Sequence, residues 1–192
     1  MRSIRAYLVV RALPVVIAVL LATGPTPASA DQDDPRLDRL FAVLHASENA
    51  REVYVAQSLI WDIWLTHDDT ELTRLMRRGV FAMAKEHNDE ALRIFDRLIA
   101  TDPGYAEAWN KRATLYFILG ELDKSRADVA RTLELEPRHF GALSGLGQIE
   151  LLRGDRKKAL QAFEHALDAN PHLAGARMMV DRLRPRATGR EL

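Results

Sequence analysis

Few residues in this 192-residue chain are spaced for chemistry. His67-Asp68-Asp69 sets an imidazole beside two carboxylates, a donor set that suits a divalent cation. A metal site needs ligands converging from fixed elements with a supporting shell. No second cluster accompanies this one, so it reads as a loop in which Asp69 or Thr70 serves as a helix N-cap. His165-x-x-Asp168 offers a base beside an acid, but on a helix whose exposed face is the default place for both. His45, His67, His87, His139, His165 and His172 fall in separate segments. There is no cysteine, which excludes disulfides, thiolate metal sites and cysteine nucleophiles. A G-x-S-x-G elbow, a P-loop, an H-E-x-x-H helix and a paired-carboxylate cleft are all missing from the sequence. The expectation is a chain that is not an enzyme, with no cofactor and no metal. Trp61 and Trp64, three apart, could form a ligand platform; on an amphipathic helix the same spacing serves a core, and core is the reading taken.

The elements around these residues begin with a leader. Arg2, Arg5 and Arg11 give a positive start, Leu13 to Ala22 an apolar run, and Ala28-Ser29-Ala30 a small-residue cleavage site preceded by Pro25 and Pro27. Arg11 and Pro14 keep the apolar run well short of the roughly 20 residues that span a bilayer. Residues 1–30 are therefore expected to be a signal peptide cleaved after Ala30. That implies a periplasmic product with no stable membrane insertion. The full chain carries 27 basic and 27 acidic residues; losing the leader's three arginines leaves a net charge of −3. No basic stripe with interleaved aromatics appears, so nucleic acid is not an expected partner.

Residues 31–35 read as a disordered acidic tail. Leu37, Leu40, Phe41 and Leu44 then follow the i, i+3, i+4, i+7 rule of an amphipathic helix over 36–46, and a longer one is expected over about 50–66. This hairpin (36–70, with its link) is read as a degenerate N-terminal cap covering the first repeat. Beyond it, Pro103, Pro137 and Pro171 stand 34 residues apart. In that register the fourth position reads Leu75, Trp109, Leu143, and the eighth Gly79, Ala113, Gly147. The twentieth reads Ala91, Ser125, Ala159, and the twenty-fourth Phe95, Val129, Phe163. Recurring small, large and proline positions at this period resemble the tetratricopeptide (TPR) helix–turn–helix unit.

The resemblance implies an all-α, right-handed α-solenoid of three helix pairs (71–104, 105–138, 139–171). A C-terminal capping helix over 172–184 and a tail over 185–192 follow. Two positions depart from the pattern: Arg78 and Arg112 replace a leucine, and Glu150 a tyrosine. Each arginine either pairs with a carboxylate, Glu150 being the candidate for Arg112, or snorkels its head to solvent. In TPR proteins the first helix of each pair lines a concave groove. Carried over, the protein-binding set is Met76, Val80, Met83, Asn110, Thr114, Phe117, Ser144 and Gln148. Methionine and phenylalanine give an adaptable apolar floor, and the amides and hydroxyls can bond a peptide backbone. The carboxylate clamp of chaperone-binding arrays is missing: its positions hold Met76, Val80, Lys111, Gly141 and Gly145, of which only Lys111 could hold an anion. The expected function is an exported scaffold binding a protein or peptide client, in envelope protein assembly or turnover. The alternative is a self-associating structural module or a subunit of a larger envelope complex.

Overall fold

In a computed structural model, residues 34–184 are described and form an all-helical stack. The leader, most of the acidic tail and the C-terminal tail lie outside the described residues. Nine helices run in order among those described: α1 (Arg36–Ala46), α2 (Ala50–Leu65), α3 (Thr70–Ala84), α4 (Asn88–Thr101), α5 (Ala106–Ile118), α6 (Leu122–Leu135), α7 (Phe140–Leu152), α8 (Arg156–Ala169) and α9 (Ala174–Leu183). Asn49 and Asp69 cap α2 and α3 by accepting first-turn backbone N–H groups. The three helix pairs α3/α4, α5/α6 and α7/α8 make the closest packing, and each stacks on the next.

Within a pair, the eighth and twenty-fourth positions meet face to face. A Cβ on Gly79 would lie 2.7 Å from the Phe95 ring, and one on Gly147 would lie 2.6 Å from Phe163. Both glycines are small because a phenylalanine fills the space. Repeat two fills the same place with a smaller pair, Ala113 against Val129, both buried.

The inter-repeat turns repeat as strictly as the helices. Asp102, Glu136 and Asn170, one period apart, each accept the backbone N–H two residues on, at 2.8, 2.9 and 3.0 Å. The proline after each presets the backbone angle for the turn. α9 closes the far end, burying Ala176, Val180 and Leu183 against the α8 face that carries Ala159, Phe163 and Ala166.

The N-terminal hairpin sits elsewhere than in front of repeat one. Its core joins Leu37, Phe41, Leu44, Val53, Ile60 and Trp64 to Phe140, with Ala169 and Leu173 packed around it. These last three lie at the turns flanking repeat three. The hairpin thus lies as a strap along the edge formed by the inter-repeat turns, and each turn grips it. Tyr105 donates its hydroxyl to the Leu65 carbonyl at 2.8 Å. Arg138 pairs with Asp38 at 2.7 Å and lies 4.5 Å from the Phe41 ring centre. His172 donates to the Leu44 carbonyl at 2.9 Å. The link 66–69 reverses the chain to allow this. His67 is buried there, its Nε2 2.8 Å from Asp102 and its backbone tied to Thr73.

Both arginine departures are ion-paired. Arg78 bonds Glu90. Arg112 forks onto both oxygens of Asp128 at 2.7 and 2.8 Å and reaches Asp96 at 2.7 Å, and this pairing holds its guanidinium charge firmly. Glu150 is not its partner; Arg126 bonds Glu150 instead, at 2.7 Å.

Candidate functional site

Two neighbouring features occupy the face lined by α5 and α7. The first is a buried charge cluster where α2 crosses the helix starts. Glu107, in the first turn of α5, has a side chain with no exposed surface. Three donors converge on it: Lys111 Nζ at 2.9 Å, Asn110 Nδ2 at 2.9 Å and His139 Nε2 at 2.8 Å. His139 accepts the Ala142 N–H on Nδ1 at 3.1 Å, so Nε2 carries the hydrogen given to Glu107. Burial by itself pushes the Glu107 carboxyl up, but the Lys111 charge and the His139 hydrogen bond outweigh it and hold the group at about 2.

Aromatic rings roof this cluster. Trp64 stacks on the His139 ring with centres 4.0 Å apart and planes at 13°. Lys111 Nζ lies 5.2 Å from the Trp61 ring centre. Trp61 also rests on Gly141, where a Cβ would lie 2.6 Å from the indole. The core reading of the two tryptophans holds for Trp64, which is 2% exposed, and Trp61 is partly buried beside it. What they pack on is repeat three.

The second feature is a cleft of about 110 Å³ between α5, α6 and α7. Ala113, Val129 and Ile149 form its apolar wall, and Asn110, Thr114, Phe117 and Gln148 its rim. Two causes open it. Val129 stands where repeats one and three carry phenylalanine, and Gly141 and Gly145 give α7 a face without side chains. A Cβ on Gly145 would meet nothing within 4 Å. An apolar cavity of about 150 Å³ holds a benzene molecule, so this cleft takes one branched aliphatic side chain.

The expected protein-binding set divides accordingly. Asn110, Thr114, Phe117 and Gln148 come together at the cleft. Asn110 is nearly buried and spends its amide on Glu107, so it serves the charge cluster as much as the rim. Ser144 is partly buried outside the cleft lining. Met76 must be withdrawn from the set: it is fully buried in the repeat-one core, where no partner reaches it. Val80 and Met83 pack against that same core, and Val80 borders a separate shallow groove with Leu65, Arg77 and Phe81. The sequence reading missed Val129 as a cleft former. Its signal was visible as the one non-phenylalanine at the twenty-fourth position.

Lys111, the lone clamp cation, is already neutralised by the protein's own Glu107. A client's terminal carboxylate would have to displace a buried internal one. His165 and Asp168 are exposed on α8 and make no contact with the cleft. Among the described residues no group of three or more metal-ligating side chains is close enough to hold an ion. None of the described helices is long and apolar enough to cross a membrane.

Helix pairs stacked at a fixed period, with a side cleft rimmed by amide, hydroxyl and aromatic groups, define a helical-repeat interaction scaffold. The tetratricopeptide repeat model matches residues 77–134 and 119–174. A TPR repeat-containing protein of Rhizobium etli is 34% identical over 98% of both chains. The chain belongs to the tetratricopeptide repeat family. The Hsp70-Hsp90 organizing protein 3 of Arabidopsis thaliana is 26% identical over 52% of this chain, which spans 19% of that protein. Among solved structures, the first TPR of Spaghetti (RPAP3) bound to the HSP90 peptide SRMEEVD superposes with a TM-score of 0.57, at 20% identity over 60% of this chain and 92% of that one. MamA superposes with a TM-score of 0.56, at 20% identity over 60% of this chain and 68% of that one. These structural likenesses show the fold.

Proposed function

We propose that the protein is an exported, non-catalytic scaffold of the cell envelope, taking part in protein assembly or turnover. It holds a client by one apolar side chain seated in the α5–α7 cleft. The carrying observation is the cleft itself: an open apolar pocket in the helix layer where this family's members engage partners, rimmed by Thr114, Phe117 and Gln148. Export rests on the leader pattern of residues 1–30, and periplasmic localisation follows from it. One structural neighbour bears an HSP90 peptide. The client mode proposed here differs, because Glu107 fills the place of an incoming carboxylate. An internal segment of the client, with a branched aliphatic residue presented from an extended or helical backbone, fits the cleft. Phe117 supplies the apolar rim, and the Gln148 amide bonds a backbone group without choosing a sequence.

The test is client capture from native envelope extract by the chain starting at Asp31, beside two variants. Phe117→Ala with Gln148→Ala strips the rim. Gly145→Leu fills the cleft while replacing a helix-interior glycine, a change worth up to about 1 kcal/mol in favour of the helix. The expected result is a protein retained by the wild type and lost by both variants, with the Gly145→Leu melting temperature unchanged or higher. Retention of the same proteins by Gly145→Leu would sink the cleft assignment. Fractionation of cells producing the full chain tests export separately: the product should appear in the periplasm, shortened to begin at Asp31.

A further inference from the structure

α7 is the weaker wall of the cleft. Three of its 13 residues are glycines, at 141, 145 and 147, and inside a helix only proline is less favourable than glycine. Gly141 and Gly145 line the cleft, so over its first half this wall has no side chains to lean on α5. Its first turn is anchored by the strap instead. Phe140 is buried among three strap rings, with centres 6.4 Å from Phe41, 5.4 Å from Trp61 and 5.1 Å from Trp64. Trp61 bears on Gly141, and Trp64 covers the His139 ring. Beneath that ring, the His139 bond to Glu107 ties the start of α7 to α5. Glu107 also holds Asn110, a residue of the cleft. The strap seat carries a weakness of its own. Trp64 Nε1, inside it, and Asn170 Nδ2, in the turn that grips Leu44 through His172, are buried donors with no acceptor on the protein. A buried donor left unpaired is costly, and contact with water removes the cost. Opening is therefore favoured at this seat.

We propose that the strap gates the cleft. Docked, it props the α7 wall and makes the cleft competent to hold a client side chain; undocked, it releases the wall and the client with it. The gate rests on the cleft being the client site. Trp61 and Trp64 are positioning residues in this scheme, because neither lines the cleft. Trp61 acts through Gly141, and Trp64 through His139, Glu107 and Asn110. The link at 66–69 keeps an undocked strap tethered beside its seat, so redocking needs no second molecule. Coupling of this kind is reciprocal. An occupant of the cleft holds the strap down by the same factor by which the docked strap favours the occupant. At ten times its dissociation constant, an occupant that binds only the docked form slows strap opening about tenfold.

Hydrogen exchange at the Trp64 indole reads strap opening, with the Phe95 and Leu98 amides of α4 as the reference for unfolding of the whole chain. It is measured on the full chain and on the chain starting at Asp31. Gly145→Leu places a side chain in the cleft. Gly145→Ala gives the helix the same relief without filling it, since a Cβ there meets nothing within 4 Å. Indole exchange should be slower in Gly145→Leu than in Gly145→Ala by about fivefold or more, with α4 exchange alike in the two. N-acetyl-leucine amide is the external probe, followed by the methyl shifts of Ala113, Val129 and Ile149. Phe41→Ala loosens the strap from outside the cleft and should raise the probe's dissociation constant roughly tenfold, with α4 exchange unchanged. Phe41→Leu, which keeps the strap core apolar, should restore most of the affinity. Equal indole exchange in the two Gly145 variants would overturn the gate, as would α4 slowing as much as the indole. A probe affinity indifferent to Phe41→Ala would sink the gate alone. A wild type with no saturable shift at those methyls would sink the client site itself, and the gate with it.

Discussion

Glu86, Gly120 and Gly154 close the same turn between paired helices, one period apart, and all three adopt positive φ, at 60°, 77° and 82°. Only the first bears a side chain. A left-handed residue with a Cβ costs roughly 1–2 kcal/mol, part of which a glycine returns as unfolded-state entropy. Glu86→Gly should therefore stabilise the protein by about 0.5–1 kcal/mol, a rise in urea midpoint that Gly120→Ala would reverse in sign. Glu107 makes the opposite kind of contribution. Its carboxyl is held at about 2 in the folded protein, against 4.5 for a free glutamate. A depressed folded pKa means the stabilisation is fully present above pH 4.5 and drains away as pH falls toward 2. Urea midpoints measured from pH 5 to pH 2 should fall steeply in the wild type and less steeply in Glu107→Gln. The same substitution should cost about 3–5 kcal/mol near neutrality, because Lys111 would be left facing a buried site without its counter-charge. Equal slopes for the two proteins would mean that Glu107 is not the titrating group.

At the scale of elements, the strap is fixed by shape as much as by ions. Trp61 rests on Gly141, and a Cβ there would come within 2.6 Å of the indole. Gly141→Ala should thus act at a distance in sequence, lifting Trp61 off α7 although alanine is the better helix former. A cost of about 1–3 kcal/mol is expected from the forced shift, with a red shift in tryptophan emission as the ring meets water. Unchanged emission together with raised stability would mean the contact is slack. The helix pairs themselves obey a volume rule legible in the sequence, glycine opposite Phe95 and Phe163, alanine opposite Val129. The cleft follows from the exception.

For the whole molecule, the position of the hairpin decides what its loss would do. A cap in front of repeat one would protect only that repeat. A strap gripping the turns at Tyr105, Arg138 and His172 protects all of them. Deleting residues 31–66 should therefore bare Phe140, Leu173 and His139, and spread fast amide exchange into α7 and α8 as well as α3. Exchange confined to α3 and α4 would restore the cap reading. His67, His139 and His172, which look unrelated along the chain, all lie on this one edge. Their role is to dock the strap.

The sequence alone determined the helices, because apolar spacing at 3.6 residues and the 34-residue recurrence of proline are local signals. It also determined the stacking, since each pair has a face it cannot bury by itself. It marked Asn110, Thr114, Phe117 and Gln148 as neighbours through their register. Only the tertiary structure decided where the hairpin lies, because its apolar stripe names no partner and the four-residue link at 66–69 permits either direction. The same held for Met76, whose groove position by register became a core position once α4 packed over it, and for Arg112, whose partners Asp96 and Asp128 come from two different helices. Periodicity fixes what repeats within a unit; the contacts of a piece that occurs once are set by what it meets in space.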